Sequence, residues 1–366
     1  MKNTIYVLSI ILLGAMLLTG FYDLSYFVSL LSSFFFPICF IFFFRKIDVF
    51  ERESYRDLFF SFLLSTVTMF TLGSLVIYFL CIFRPEDISS YTFLQMFLYV
   101  GLPEEILKIL PVLIILKYTK FINEPIDYII YSSISALGFV FYENIDYISG
   151  HLTDSSSIVS IRNIEPLLMH MCTTSIFGFL IFCYSLTSKK KYILFGLLIA
   201  ASIHAIYNQL CDVIIYLITA EIILMFFLVT FYAKLIQSLL NISPFFDQKR
   251  VPDINGAGKF LFLIVFLIIL VNALTAYFFT EAKSPELFIT GLYWFIIGVI
   301  LFSRIWVNLK IKKGKFIVFK RKKAGETGVK SESDYKIVSD IKEAIGKYYA
   351  SKKIIYNKDD ERYESS

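Results

Sequence analysis

Apolar stretches of about 20 residues recur along most of the chain, separated by short polar linkers. A transmembrane helix needs roughly 20 consecutive apolar residues, so each stretch predicts one spanning helix. The predicted spans are 4–20, 24–44, 58–83, 92–116, 128–148, 164–187, 192–212, 219–241, 259–282 and 287–308. The pattern therefore predicts an all-α fold, a polytopic transmembrane helix bundle of about ten spanning helices.

The distribution of Lys and Arg among the linkers orients these helices. Two or more basic residues occur in each of the linkers 45–57, 117–127, 188–191 and 242–258, and at most one in each of 84–91, 149–163, 213–218 and 283–286. Cytoplasmic loops are enriched in Lys and Arg, so the alternation predicts that both termini are cytoplasmic. One missed helix would invert every later loop, and the unbroken alternation therefore supports the helix count.

Composition agrees with a lipid environment. Of the 366 residues, 57% are hydrophobic and 18% are charged, against about 45–50% and about 25% in soluble domains. Residues 309–366 hold 16 Lys and Arg against 9 Asp and Glu. A basic tail after the last apolar run predicts contact with anionic lipid on the cytoplasmic side, and no role in nucleic-acid binding.

The chain divides into four predicted regions. Residues 1–90 would form N-terminal transmembrane helices, 91–212 a core of helices that carry ionisable residues, 213–308 C-terminal transmembrane helices, and 309–366 the basic cytoplasmic tail. An ionisable side chain in mid-membrane costs about 2.5–3.5 kcal/mol on insertion scales. The ionisable residues of the core are therefore candidates for function.

The fourth predicted helix carries Glu104, Glu105 and Lys108 in the sequence GLPEEILKILP. Glu104 and Lys108 are four residues apart and could pair on one helix face, whereas Glu105 would point toward a different neighbour. A helix beginning at Pro103 would direct its N-terminal dipole at the two carboxylates. A purely structural Glu104–Lys108 pair would leave Glu105 unexplained.

Three further core helices carry polar side chains, each of which alone could be structural or interfacial. These are Glu143 and Asn144 on the fifth helix, where Phe139 shares a face with Glu143, His170 on the sixth, and His204 and Asn208 on the seventh. With the predicted orientation, the carboxylates and histidines lie roughly 8–18 Å below the outer surface. Independent structural residues would have no reason to share a depth, so we expect one water-accessible site.

Carboxylates, histidines and an amide can activate water, stabilise an oxyanion and protonate a leaving amine. Two mechanisms of water activation remain open. In the first, Glu104 or Glu105 activates water directly, and His204 with Asn208 binds the oxyanion. In the second, Glu143, His170 and His204 hold one zinc ion and a carboxylate of the Glu104–Glu105 pair is the base.

Three motifs resemble those of the PrsW-type intramembrane proteases, a family of the CAAX protease and Abi superfamily. They are EEILK at 104–108, FxxxE from Phe139 to Glu143 followed by Asn144, and HxxxN from His204 to Asn208, with His170 between the last two. The resemblance covers about residues 90–212. Glutamate at 143, where CAAX proteases have histidine, favours the PrsW branch.

The resemblance implies a bacterial cytoplasmic-membrane protease that cleaves single-pass membrane proteins on their extracytoplasmic side, as with anti-sigma factors in stress signalling. A proton- or ion-coupled transporter is an alternative, but it predicts an inverted repeat that the sequence does not show. A non-catalytic scaffold or immunity protein of the same superfamily is a third interpretation.

Overall fold

The computed structural model describes residues 24–83, 91–150, 162–212, 218–279, 296–305 and 309–314, with single positions at 343 and 347. Within that part the elements are all helices, without a strand. They are α1 (Leu24–Ile47), α2 (Tyr55–Thr68), α3 (Ser74–Phe83), α4 (Phe93–Met96), α5 (Leu102–Tyr118), α6 (Asp127–Gly150), α7 (Glu165–Thr187), α8 (Lys191–Asp212), α9 (Ile218–Asn241), α10 (Ile254–Phe279) and α11 (Ile296–Ile305).

Six helical stretches among the described residues are long and apolar enough to cross a membrane. They are Tyr26–Ile47, Tyr55–Leu80, Glu165–Thr187, Lys191–Cys211, Ala220–Asn241 and Gln248–Ile268. The all-helical, multi-pass character is therefore confirmed. The count of about ten spans and the cytoplasmic termini stay predictions, and the predicted span 4–20 lies outside the described residues.

Helix α6 lies at the centre of the bundle, packed against α1, α2, α5 and α7. Its residues are buried without interruption from Asp127 to Val140. Small residues allow this packing, because a Cβ atom on Gly178 of α7 would lie 2.5 Å from the Tyr128 carbonyl oxygen. Close backbone approach of this kind is how helices associate in lipid, where apolar burial alone gives no driving force.

The chain enters α5 through a π-helical segment, Phe97–Gly101, which continues directly from α4. Gly101 has helical dihedral angles, so no free helix N-terminus exists at Pro103. The predicted helix start at that proline, with its dipole aimed at the carboxylates, is therefore wrong. Gly101 instead permits contact with α8, since a Cβ there would lie 2.5 Å from the Ala201 carbonyl oxygen.

Candidate active site

Four helices bring ionisable side chains into one cluster. Helix α5 contributes Glu104, Glu105 and Lys108, α6 contributes Glu143, α7 contributes His170, and α8 contributes His204. The two imidazole rings lie 5.0 Å apart between centroids and are nearly perpendicular, at 86°. The structure thus places together side chains that are up to 100 residues apart in the chain.

Glu105 is the most enclosed carboxylate of the cluster, with no exposed surface. Its Oε1 lies 2.7 Å from Lys108 Nζ and 3.2 Å from His204 Nδ1. Thr173 and Thr174 of α7 donate to Oε1 and Oε2, each at 3.2 Å. Oε1 has up to three donors around it and Oε2 has one, and the side chain has no exposed surface, so Glu105 is closed off from water although Oε2 keeps a lone pair.

Glu104 differs from its neighbour in both exposure and partners. Its side chain is 22% exposed, and Oε2 lies 3.9 Å from Lys108 Nζ and 3.5 Å from His204 Nε2. That oxygen is buried and makes no hydrogen bond. Lys108 therefore pairs more closely with Glu105 than with Glu104, the reverse of the expected i,i+4 pair, and Glu104 is the carboxylate with a free acceptor.

Lys108 links the carboxylates to both histidines. Its fully buried Nζ lies 2.8 Å from His170 Nδ1 and 4.4 Å from the centre of the Phe139 ring. The ammonium group has only protons to donate, so we assign His170 Nδ1 as the acceptor and Nε2 as the protonated nitrogen. His170 Nε2 then donates to Glu143 Oε2 at 3.0 Å.

His204 has the opposite assignment. Its Nδ1 is 3.2 Å from Glu105 Oε1, which only accepts, and 3.4 Å from Lys108 Nζ, which only donates. We assign the proton to Nδ1 because the contact with the carboxylate is the shorter one. With Nδ1 protonated, the lone pair of His204 is on Nε2, the nitrogen that faces Glu104. The site therefore presents a free imidazole nitrogen next to a free carboxylate oxygen.

Arg162, which precedes α7, completes the far side of the cluster. Its Nη2 lies 2.5 Å from Glu143 Oε2, and its Nε donates to Asn144 Oδ1 at 2.9 Å. In the sequence, Arg162 lies in the predicted linker 149–163, and no helical spacing connects it to the motifs. Thr173 and Thr174 were also missed, although two adjacent hydroxyls one turn after His170 in an apolar helix were a usable signal.

Asn208 lies one helical turn beyond His204 and is half buried. Its Nδ2 contacts Met96 Sδ at 3.9 Å, a weak interaction. The structure thus places Asn208 at the edge of the cluster, on the side of α4. Its predicted role in binding an oxyanion stays a prediction.

One group of three side chains in the cluster could hold a metal ion. One ligand atom each from Glu104, His170 and His204 lies within 4.8 Å of the other two. Two histidines and one glutamate are the donor set of many catalytic zinc sites, so these residues fit such an ion. The predicted set had Glu143 in place of Glu104, and the structure instead places Glu143 between Arg162 and His170.

Comparison with protein families gives one match. Residues 53–234 match the model of the PrsW family intramembrane metalloproteases. Comparison with curated proteins and with solved structures gives no match. The match contains every candidate site residue from Glu104 to Asn208 and confirms the resemblance inferred from the motifs over residues 53–234.

Proposed function

We propose that this chain is an intramembrane endopeptidase in which Glu104 activates the water that attacks the peptide bond. The observation that carries the proposal is the contrast between the two adjacent glutamates. Glu105 is surrounded by four donors and has no exposed surface, whereas Glu104 keeps an oxygen without a hydrogen bond and retains 22% exposure of its side chain. A general base needs a free lone pair on a group that water can reach, and only Glu104 of the pair is exposed.

Glu105 and Lys108 then act as positioning residues. Glu105 accepts a hydrogen bond from the protonated Nδ1 of His204, which leaves the Nε2 lone pair facing Glu104. Lys108 holds His170 in the tautomer that donates to Glu143. Fixing a histidine tautomer through its second nitrogen is a common means of orienting imidazoles in catalytic sites.

The family's description as metalloproteases supports a metal ion in the same cluster. Glu104, His170 and His204 are the residues that would hold it. When bound, a zinc ion would polarise the scissile carbonyl and lower the pKa of the attacking water. For Nε2 of His170 to become a ligand, its proton would have to move to Nδ1, which requires the Lys108 ammonium to turn away from that nitrogen. A carboxylate that binds through one oxygen keeps the other for a proton.

Single-pass membrane proteins are the proposed substrates, cleaved near the extracytoplasmic face of a bacterial cytoplasmic membrane. The depth of the motifs, taken with the charge alternation of the linkers, supports this side of the bilayer. An anti-sigma factor in stress signalling is the proposed physiological substrate. The family match also favours a protease over the transporter and scaffold alternatives.

The proposal is tested with the full-length protein in liposomes, together with single-pass candidate substrates that carry tags at both ends. Wild type should release fragments cut near the outer face, and Glu104→Gln should not. The matched control is Asp253→Asn, which changes a half-exposed carboxylate paired with Arg52 outside the site. Equal cleavage by wild type and Glu104→Gln would contradict the assignment, and ion uptake without any cleavage would favour a transporter.

A further inference from the structure

A second group of acidic residues lies at the opposite end of the bundle from the histidines. We call it the acid cluster; its members are Asp48, Glu51, Glu53, Glu124 and Asp127. Asp48, Glu51 and Glu53 follow α1, Glu124 precedes α6, and Asp127 is the first residue of α6. The helical rise along α5 separates this end from Glu105 by roughly 20 Å, so the acid cluster is distinct from the candidate active site.

The carboxylates of the acid cluster approach one another closely. Asp48, Glu124 and Asp127 each have an oxygen within 4.8 Å of the others, and all three side chains are 0–1% exposed. Glu51 and Glu53 form a second such group that shares Asp127.

Four carboxylates of the cluster have one oxygen satisfied and the other buried without a partner. Asn123 donates to Glu51 Oε1, Tyr131 to Glu53 Oε2, Ser243 to Glu124 Oε2, and two backbone amides to Asp127 Oδ2. Glu51 Oε2, Glu53 Oε1, Glu124 Oε1 and Asp127 Oδ1 are enclosed and make no hydrogen bond. Buried acceptors in native proteins nearly always have a partner, so these four oxygens indicate a ligand.

No side-chain ion pair neutralises the cluster in the part of the chain that the structure describes. Arg45 and Arg250, which lie at this end, donate to the backbone carbonyls of Glu53 and Phe50 instead. Without a bound cation, burying these carboxylates together would raise the free energy of the folded protein, because buried charges lose their hydration.

We propose that the acid cluster binds a hard divalent cation, Ca²⁺ or Mg²⁺, with Asp48, Glu124 and Asp127 as its main ligands. Carboxylate oxygens without sulfur or imidazole donors are the ligands that these ions prefer. Oxygen ligands that each lie about 2.3–2.6 Å from one Ca²⁺ ion are separated from each other by distances like those found among the oxygens of Asp48, Glu124 and Asp127, which lie within 4.8 Å of one another. The ion would tie the loop after α1 to the start of α6, and through Ser243 to the end of α9.

The test measures thermal unfolding of the full-length protein in detergent, with endogenous metals removed and a zinc-selective chelator present. Adding CaCl₂ or MgCl₂ separately should stabilise the wild type progressively. At a concentration 100 times Kd, binding shifts the unfolding equilibrium about 100-fold. Asp127→Asn and Glu124→Gln should lose this response, whereas Asp253→Asn, a carboxylate at the same end of the bundle, should keep it.

A binding measurement keeps the proposal testable if the cluster variants do not fold. Equilibrium dialysis with radioactive Ca²⁺, with Mg²⁺ as competitor, should find one bound ion per chain in wild type and in His204→Ala. The His204→Ala variant removes a residue of the candidate active site, so retained binding locates the ion elsewhere. Absence of bound Ca²⁺ and of any stabilisation by either ion would overturn the proposal, as would an unchanged response in folded Glu124→Gln.

Discussion

The Nζ atom of Lys108 lies 2.8 Å from Nδ1 of His170, across the interface of α5 and α7. The same ammonium is 2.7 Å from Glu105 Oε1 and is completely buried. Lys108 therefore has two roles in the cluster: it neutralises the Glu105 carboxylate and orients His170. Substitutions can separate these two roles, because loss of the charge pair affects stability and loss of the hydrogen bond to His170 affects activity.

Lys108→Met should abolish cleavage and lower the stability of the protein. Removing one partner of a buried ion pair typically costs about 3–5 kcal/mol, and here Glu105 would keep an uncompensated charge. The double variant Lys108→Met/Glu105→Gln should recover stability without recovering activity, since His170 still lacks its hydrogen-bond partner Lys108. Thermal unfolding and substrate cleavage measured on both variants decide the point; activity in the double variant would contradict the positioning role.

The adjacent glutamates should respond differently to the same isosteric change. Glu104→Gln should lower kcat about 10²–10⁴-fold, the usual contribution of a general base, with an unfolding temperature near that of wild type. Glu105→Gln should lower the unfolding temperature as well, because Lys108 loses its closest acceptor. Paired activity and unfolding measurements check this, and the reverse pattern would show that Glu105 is the base.

Arg162 should act through Glu143 and His170 rather than on the substrate. Arg162→Gln removes the ion pair to Glu143 and should lower kcat about 10–100-fold, as loss of an outer-shell partner does, with KM little changed. Arg162→Lys should restore part of the activity. A rise in KM with unchanged kcat would instead indicate that Arg162 binds substrate directly.

Metal removal should inactivate the protein reversibly. A strong zinc chelator should abolish cleavage, and added Zn²⁺ should restore it in wild type. His170→Ala should bind zinc more weakly in a direct titration, because it removes one member of the candidate ligand set. Full activity after exhaustive chelation, with no zinc detected by elemental analysis, would support water activation by Glu104 without a metal.

Gly178→Ala should destabilise the bundle because α6 and α7 leave no room for a methyl group. The added Cβ would lie 2.5 Å from the Tyr128 carbonyl oxygen and still closer to Ser132 Oγ. Overpacking of this kind typically costs about 1–3 kcal/mol. Gly256→Ala on α10 is the control, since a Cβ there meets no atom within 4 Å. Equal unfolding temperatures for the two variants would contradict this account of the packing.

Much of the helical organisation was predictable from hydropathy. The runs predicted at 24–44 and 164–187 correspond to α1 and α7, because a long apolar run has few alternatives to a spanning helix. The helix start predicted at Pro103 was wrong, since proline at that position is accommodated by the π-helical segment before it. Local residue preference could not show that the helix continued.

The sequence by itself determined that the chain crosses a membrane, and which ionisable residues lie in apolar helices. Both follow from the cost of placing charge in lipid, which acts on each residue separately. Only the tertiary structure decided which glutamate is fully buried among donors and that Arg162 joins the site. It also decided that Asp48, Glu124 and Asp127 meet at the other end. These relations depend on interhelical distances of a few ångströms, and neither helical spacing nor hydropathy contains that information.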